Sequence, residues 1–127
     1  MDDSETTTNR RVITEFAQLM YIDRDPAAAL AKFASTDYTQ HNAMLPDGRD
    51  AAASFLSKLY SDPNSLFEVQ RILVDGPLVA LHVRAHPVGR PLLAVADFYR
   101  LVDVLIVEHW DVIQEVPTAA ANSHPMF

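Results

Sequence analysis

Asp97 stands in Leu92-Leu93-Ala94-Val95-Ala96-Asp97-Phe98-Tyr99, an otherwise apolar run. A carboxylate there is costly unless a donor meets it, because desolvation disfavours its charged form. The same desolvation raises its affinity for a proton, which is what a general base working near neutral pH needs. A buried aspartate satisfied by His82 or Trp110 and serving structure alone would show the same pattern. His82 interrupts the apolar residues 78–83 in similar fashion, either as a satisfied core imidazole or as a proton-transfer partner of Asp97. His41 lies in Tyr38-Thr39-Gln40-His41-Asn42, a polar connection of the kind that supplies binding groups at the rim of a sheet. An ordinary surface histidine would fit that position as well.

Other chemistries fare worse. His82 and His86, four apart on a strand, are separated by roughly 13 Å at about 3.3 Å per residue, too far for one metal ion. His109 and Asp111 share a strand face, but two ligands without a third make a poor metal site, and none is expected. The serines fall in helices, turns or tails and none sits in a nucleophile elbow. With 3 glycines and no cysteine, the chain has no phosphate-cradling glycine loop, thiol nucleophile, disulfide or zinc-cysteine site. The lack of cysteine fits a reducing cytoplasm. No cofactor is expected.

Such side chains need a scaffold. The chain has 127 residues, 49% of them hydrophobic and 21% charged, a globular balance that points to one domain over residues 1–127. Ten Lys and Arg against 17 Asp and Glu leave a net charge of −7, which repels phosphate backbones and anionic lipid, so neither nucleic acid nor membrane is an expected partner. Met1-Asp2-Asp3-Ser4-Glu5 is acidic and lacks an apolar signal region. No apolar run approaches the roughly 20 residues of a membrane span.

Val12, Ile13, Phe16, Leu19 and Met20 recur at helical spacing after Thr6-Thr7-Thr8-Asn9, a stretch rich in capping side chains. Asp25-Pro26 caps a second helix whose apolar face holds Leu30, Phe33 and Ala34. After the turn residues Leu45-Pro46-Asp47-Gly48, a third helix carries Ala52, Phe55, Leu56, Leu59 and Tyr60 and stops near Asp62-Pro63-Asn64. Residues 66–74, 78–85, 92–102 and 104–113 then read as four strands, the first two joined at Asp75-Gly76. Three helices followed by sequential strands predict an α+β domain, an antiparallel meander covered by helices. Residues 1–8 and 117–127 are expected as tails, loose or held by a partner.

Two-residue turns at Gly89-Arg90 and Asp103-Val104 would set His82 opposite Asp97 and Asp97 opposite Trp110, with Val69 beside His82. The row Val69, His82, Asp97, Trp110, flanked by Tyr99, would then line one face, with His109 and Asp111 on the other. Both faces are largely apolar, so helices should cover one, and a second copy of the sheet in a homodimer is the simplest cover for the other.

Tyr38-Thr39-Gln40-His41-Asn42, Leu45-Pro46-Asp47-Gly48, Asp97-Phe98-Tyr99-Arg100 and Val107-Glu108-His109-Trp110-Asp111-Val112-Ile113-Gln114, with the Met126-Phe127 ending, closely resemble the SnoaL-like proteins of the nuclear transport factor 2-like superfamily. The resemblance implies a cone-shaped α+β fold with a curved sheet wrapped around helices to enclose a pocket, usually as a dimer. It also implies relatives that include polyketide cyclases, which close a ring by intramolecular aldol condensation without metal or organic cofactor. Carried onto this chain, the acid/base aspartate is Asp97 and the pocket histidines are His82 and His41. The expected chemistry is removal by Asp97 of a proton next to a carbonyl, for ring closure or isomerisation through an enolate that His82, His41 and Tyr38 would meet as donors. Trp110 is the expected apolar wall, and Tyr38, Tyr99 and Phe16 are further expected substrate-binding residues. The expected ligand is a small apolar molecule bearing a carbonyl. Two alternatives stand beside this: a dimeric small-molecule-binding module without chemistry, and epoxide-hydrolase-like water activation, for which Arg84 is the arginine able to share a face with Asp97. One departure from the family is Asp103-Val104-Leu105, since valine disfavours the positive φ of a type I′ turn and a turn of different type or length is expected there.

Overall fold

The computed structural model describes residues 3–127; Met1 and Asp2, the start of the expected N-terminal tail, lie outside the described residues. Helix α1 (Asp3–Ala17) runs into a π-helical turn at Gln18–Ile22, followed by α2 (Pro26–Phe33), strand β1 (Ala34–Gln40) and α3 (Arg49–Tyr60). Strands β2 (Leu66–Asp75), β3 (Leu78–His86), β4 (Leu93–Val102) and β5 (Leu105–Glu115) complete the chain. The sheet order is β1-β5-β4-β3-β2, antiparallel except for the β1–β5 pair. This is the expected α+β class, with helices packed on one face of a meander.

Strand β1 is an addition to the four expected. Its residues Ser35, Thr36, Asp37 and Thr39 are polar, because it is an edge strand held to β5 through a few pairs, Thr39 beside Glu108 and Gln40 beside His109. The start of the chain also differs. Residues 3–8 are helical rather than a loose tail, and Thr6 and Asn9 do not cap α1: Thr6 Oγ1 accepts from Gly76 N at 2.9 Å and Asn9 Nδ2 donates to Gly76 O at 2.8 Å. These bonds clamp α1 onto the β2–β3 turn. That turn is Gly76-Pro77, one residue later than expected, with Gly76 at φ 57° supplying the left-handed conformation. At α2 the expected cap is present, Asp25 accepting from Ala28 N at 3.0 Å with Pro26 at the first position.

The helices cover the inner sheet face. Ile13 and Phe16 of α1 and Leu81, Val83, Leu101 and Ile106 of the sheet are almost wholly buried, each contributing about 1.5–3 kcal/mol. Arg24, at φ 58°, sends its guanidinium to the carbonyls of Tyr60, Asp62 and Ser65. It thereby ties the turn before α2 to the α3–β2 connection.

Register is where the structure departs most from the alternation argument. The last turn is Asp103-Val104, both with positive φ, so valine does occupy the two-residue turn and Val102 pairs Leu105. A bulge at Val107 then shifts the ladder by one, so Asp97 lies opposite Asp111, and Trp110 lies opposite Phe98. The β3–β4 connection is longer than two residues. Arg90 N closes a turn on Pro87 O with Gly89 at φ 78°, and the ladder sets Leu81, not His82, opposite Asp97. A second bulge at Gln70 moves Val69 beside Val83. The row Val69, His82, Asp97, Trp110 therefore does not exist: the longer β3–β4 turn parts His82 from Asp97, and the bulges at Val107 and Gln70 exchange the faces of the residues beyond them.

Candidate active site

The inner face carries Asp97 and Tyr99 from β4 and His109 and Asp111 from β5 as neighbours across one ladder. The Asp97 carboxylate has both oxygens engaged. Oδ1 lies 2.9 Å from His109 Nε2, and Oδ2 accepts from the Tyr21 hydroxyl at 2.8 Å. Since Tyr21 spends its proton on Asp97, the Tyr99 hydroxyl, 3.3 Å away, donates to Tyr21. On the other side of the ring, His109 Nδ1 is 2.7 Å from Gln40 Oε1. That oxygen also accepts from Asn42 N at 2.9 Å, while Gln40 Nε2 donates to the Tyr38 hydroxyl at 3.0 Å, so the amide orientation is set by its neighbours. Both ring nitrogens thus face acceptors.

Asp111 completes the cluster. Its Oδ2 lies 3.9 Å from His109 Nε2 and accepts from Asn42 Nδ2 at 2.6 Å. Burial pushes the Asp111 carboxyl upward, the Asp97 charge adds to this, and the Asn42 bond and His109 oppose it. Burial also holds the Tyr21 and Tyr99 hydroxyls well above the ordinary tyrosine value, with the Asp97 charge acting in the same direction. The Tyr38 hydroxyl is pushed up to about 12 by burial. These phenols stay protonated; Tyr21 and Tyr99 serve as donors, whereas the Tyr38 hydroxyl accepts from Gln40. No buried side-chain nitrogen or oxygen among the described residues lacks a partner.

Local geometry explains how these groups meet. In an α-helix, residues five apart are about 140° out of register, which would turn Tyr21 away from the face that Phe16 buries. The π turn, closed by Asp23 N to Gln18 O at 2.8 Å, brings Tyr21 back toward the sheet, and such turns recur at functional sites. On β1, alternation sends Tyr38 and Gln40 inward, and Asn42 follows. The backbone bond from His41 N to His109 O at 2.9 Å anchors that strand end to β5.

The cluster opens on a cavity of about 170 Å³ with mostly apolar walls from Phe16, Met20, Leu56, Tyr60, Phe67 and Val95. Of the residues expected at the site, Asp97, Tyr38, Tyr99 and Phe16 line this cavity; His82, His41 and Trp110 do not. His82 is on the outer face, its Nδ1 2.9 Å from Arg71 Nη1 and its ring 6.0 Å from that of Phe127. His41 stacks on Trp110 outside the sheet, 5.0 Å between centroids, and its Nε2 meets Glu108 Oε2 at 2.7 Å. Arg84 is also outside, paired with Glu68 at 2.9 Å, so it does not share a face with Asp97 as expected for epoxide-hydrolase-like water activation. The Phe127 ring, 5.7 Å from the Arg84 guanidinium, ends the irregular residues 117–127 on this outer face.

Sequence reasoning missed Tyr21, Gln40 and Asn42 and set His109 and Asp111 on the wrong face. Alternation does tie His109 to Asp111, but the Val107 bulge, which brings both to Asp97, has no signature in the residues around it. Asp97, His109 and Asp111 could also present three ligand atoms within 4.8 Å of one another to a metal ion. Without an ion, His109 Nε2 meets Asp97 Oδ1 and Asp111 Oδ2 accepts from Asn42.

The chain is thus an α+β cone with a buried acid-imidazole cluster at the end of an apolar cavity. The SnoaL-like domain pattern matches residues 13–109, and the chain belongs to that family. Similar solved structures include a nuclear transport factor 2-like protein of unknown function from Mesorhizobium loti, with TM-score 0.74 and 19% identity over 86% of this chain and 93% of that one. A candidate ketosteroid isomerase from Kribbella flavida has TM-score 0.75 and 19% identity over 93% and 86%. A candidate polyketide cyclase from Acidithiobacillus ferrooxidans has TM-score 0.62 and 17% identity over 84% and 87%. At these identities the likeness shows the fold. No curated protein matches the chain in sequence.

Proposed function

We propose that the chain is a cofactor-independent acid/base enzyme acting on a small carbonyl compound, by aldol-type ring closure or by isomerisation through an enolate. The observation that carries this reading is the placement of His109 between two carboxylates, 2.9 Å from Asp97 and 3.9 Å from Asp111, at the polar end of an apolar cavity. Asp97 takes a proton from the carbon next to the carbonyl, and the C–H electron pair becomes the enolate. The imidazole exchanges protons with both carboxylates, so a proton received by one can return from the other. The enolate carbon then attacks a second carbonyl, whose oxygen takes the proton, or it is reprotonated at a different carbon. Tyr99, Tyr38 and Phe16 shape the wall against which a flat substrate lies.

Small diketones in deuterium oxide test this directly. The wild type is expected to accelerate deuterium uptake beside the carbonyl, and Asp97→Asn to abolish that uptake while circular dichroism and melting stay native. Full activity in Asp97→Asn would overturn the assignment, and binding without exchange in the wild type would favour the non-catalytic binding module.

The same proposal includes a homodimer through the outer sheet face. Leu73, Leu78, Phe98 and Val112 are exposed there, forming an apolar surface that a second copy would cover. Sedimentation of the wild type and of Phe98→Glu checks it: a dimer that the charge converts to monomer is expected, and a monomeric wild type would refute it.

A further inference from the structure

We infer that the ligand of this cavity carries an anionic group at its solvent end, held by Arg90; this rests on the cavity being the site of the proposed chemistry. Three lining residues carry charge: Asp97, Asp111 and Arg90. The first two share one cross-strand pair. Arg90 lies at the other end, in the β3–β4 connection. Along β4, Leu93, Val95 and Asp97 line the cavity in turn, so its long axis follows the strand. Leu93 and Asp97 are about 13 Å apart at the rise of an extended chain, and Arg90 lies beyond Leu93.

Arg90 is exposed, and its guanidinium has no ion pair or hydrogen bond among the described residues. Arg24, Arg49, Arg71, Arg84 and Arg100 each meet a protein partner, and Arg10 and Arg11, on α1, do not line this cavity. In a chain of net charge −7, an anion is repelled from most of the surface, so a free arginine at the rim of an apolar cavity selects where an anion can settle. The complementary molecule has its carbonyl at the Asp97 end, an apolar body, and a carboxylate or phosphate ester at the mouth. Guanidinium geometry suits both anions.

The probes are anilinonaphthalenesulfonate and its uncharged analogue N-phenylnaphthylamine, followed by fluorescence on the full chain. The wild type is expected to hold the sulfonate more tightly, with a preference that falls as salt is added. Arg90→Gln should weaken the sulfonate by about three- to fivefold and leave the uncharged probe unchanged, and Arg90→Glu should reverse the preference. Displacement by octanoate and by octyl phosphate, with octanol as the uncharged control, identifies the anion. A wild type without preference, or an Arg90→Gln protein that keeps it, overturns the inference. Proton exchange without anion preference overturns this inference alone, whereas anion preference without proton exchange overturns the acid/base reading alone.

Discussion

The two faces of one sheet solve opposite problems with similar residues. On the inner face, Asp97, His109 and Asp111 are polar groups among apolar neighbours, and each is met by a specific partner. On the outer face, His41, His82, Glu108 and Arg100 pair with one another or with Arg71 near water, beside apolar Phe98 and Val112, which no helix covers. Strand β5 alone shows the contrast. Glu108 points outward and Asp111, three residues on, points inward. The Glu108 carboxyl is held below its ordinary value by the His41 and Arg100 bonds, whereas burial holds Asp111 above its own. Side-chain type did not decide which histidine or acid belongs to the cavity; backbone register did.

The sharpest way to break the comparison is to treat the two faces alike. His109→Gln should lower the proton-exchange rate by about 10²–10⁴-fold, because no proton can then pass between Asp97 and Asp111. His82→Gln should leave the rate within about twofold, since His82 touches Arg71 and Phe127 and not the cavity. Equal losses in the two variants would mean that the outer face takes part in the chemistry.

Packing gives the second contrast. Phe16 is fully buried and meets the rings of Phe33 and Tyr99 edge-on at 6.4 and 5.3 Å. Phe16→Ala should cost about 3–5 kcal/mol in chemical denaturation. Phe98 is 40% exposed, so Phe98→Ala should cost under about 1 kcal/mol in a monomer. A larger cost that depends on protein concentration would show that a second copy buries it.

These contrasts also explain what could be read from the residues beforehand. The three helices and four of the five strands followed from hydrophobic period, and so did the α+β class, because period reflects burial directly. Strand β1 escaped because a polar edge strand has no such period. Asp97 could be singled out because a lone acid in an apolar strand is costly wherever that strand lies. Its partners could not, because the bulge at Val107 and the π turn before Asp23 each insert one residue into a repeat, which moves the later side chains of a strand to the other face and rotates those of a helix.

Orientation of His109 provides a finer test. Gln40 Oε1 accepts at Nδ1 and fixes the ring, yet Gln40 sits beside the reacting groups rather than among them. Gln40→Leu should reduce kcat by about tenfold with little change in KM, as expected for a positioning residue, and Gln40→Glu, which keeps the acceptor, should recover part of the loss. Asn42→Ala probes the corresponding bond to Asp111. An effect on KM alone in these variants would place them in ligand binding instead.

The smallest effects come from Asp111 and Glu108 of β5, and their signs must oppose. The Asp111 carboxyl binds its proton more tightly in the folded chain than the ordinary value of 3.8. Its contribution to stability is therefore fully present below the unfolded value and is lost as pH rises through the folded one. Asp111→Asn removes that loss and keeps an oxygen for Asn42, so the variant should gain on the wild type as pH rises above the ordinary aspartate range, by on the order of 0.5 kcal/mol after screening. Glu108 runs the other way. Its carboxyl lies below the ordinary 4.5, so its contribution is present above the unfolded value and disappears as pH falls through the folded one. Relative to wild type, Glu108→Gln should thus be at a disadvantage at neutral pH that vanishes in acid. Melting curves of the two variants against pH should diverge from the wild type in opposite directions. Parallel curves would mean that the two carboxyls share one environment and that the faces are not separated as the register requires.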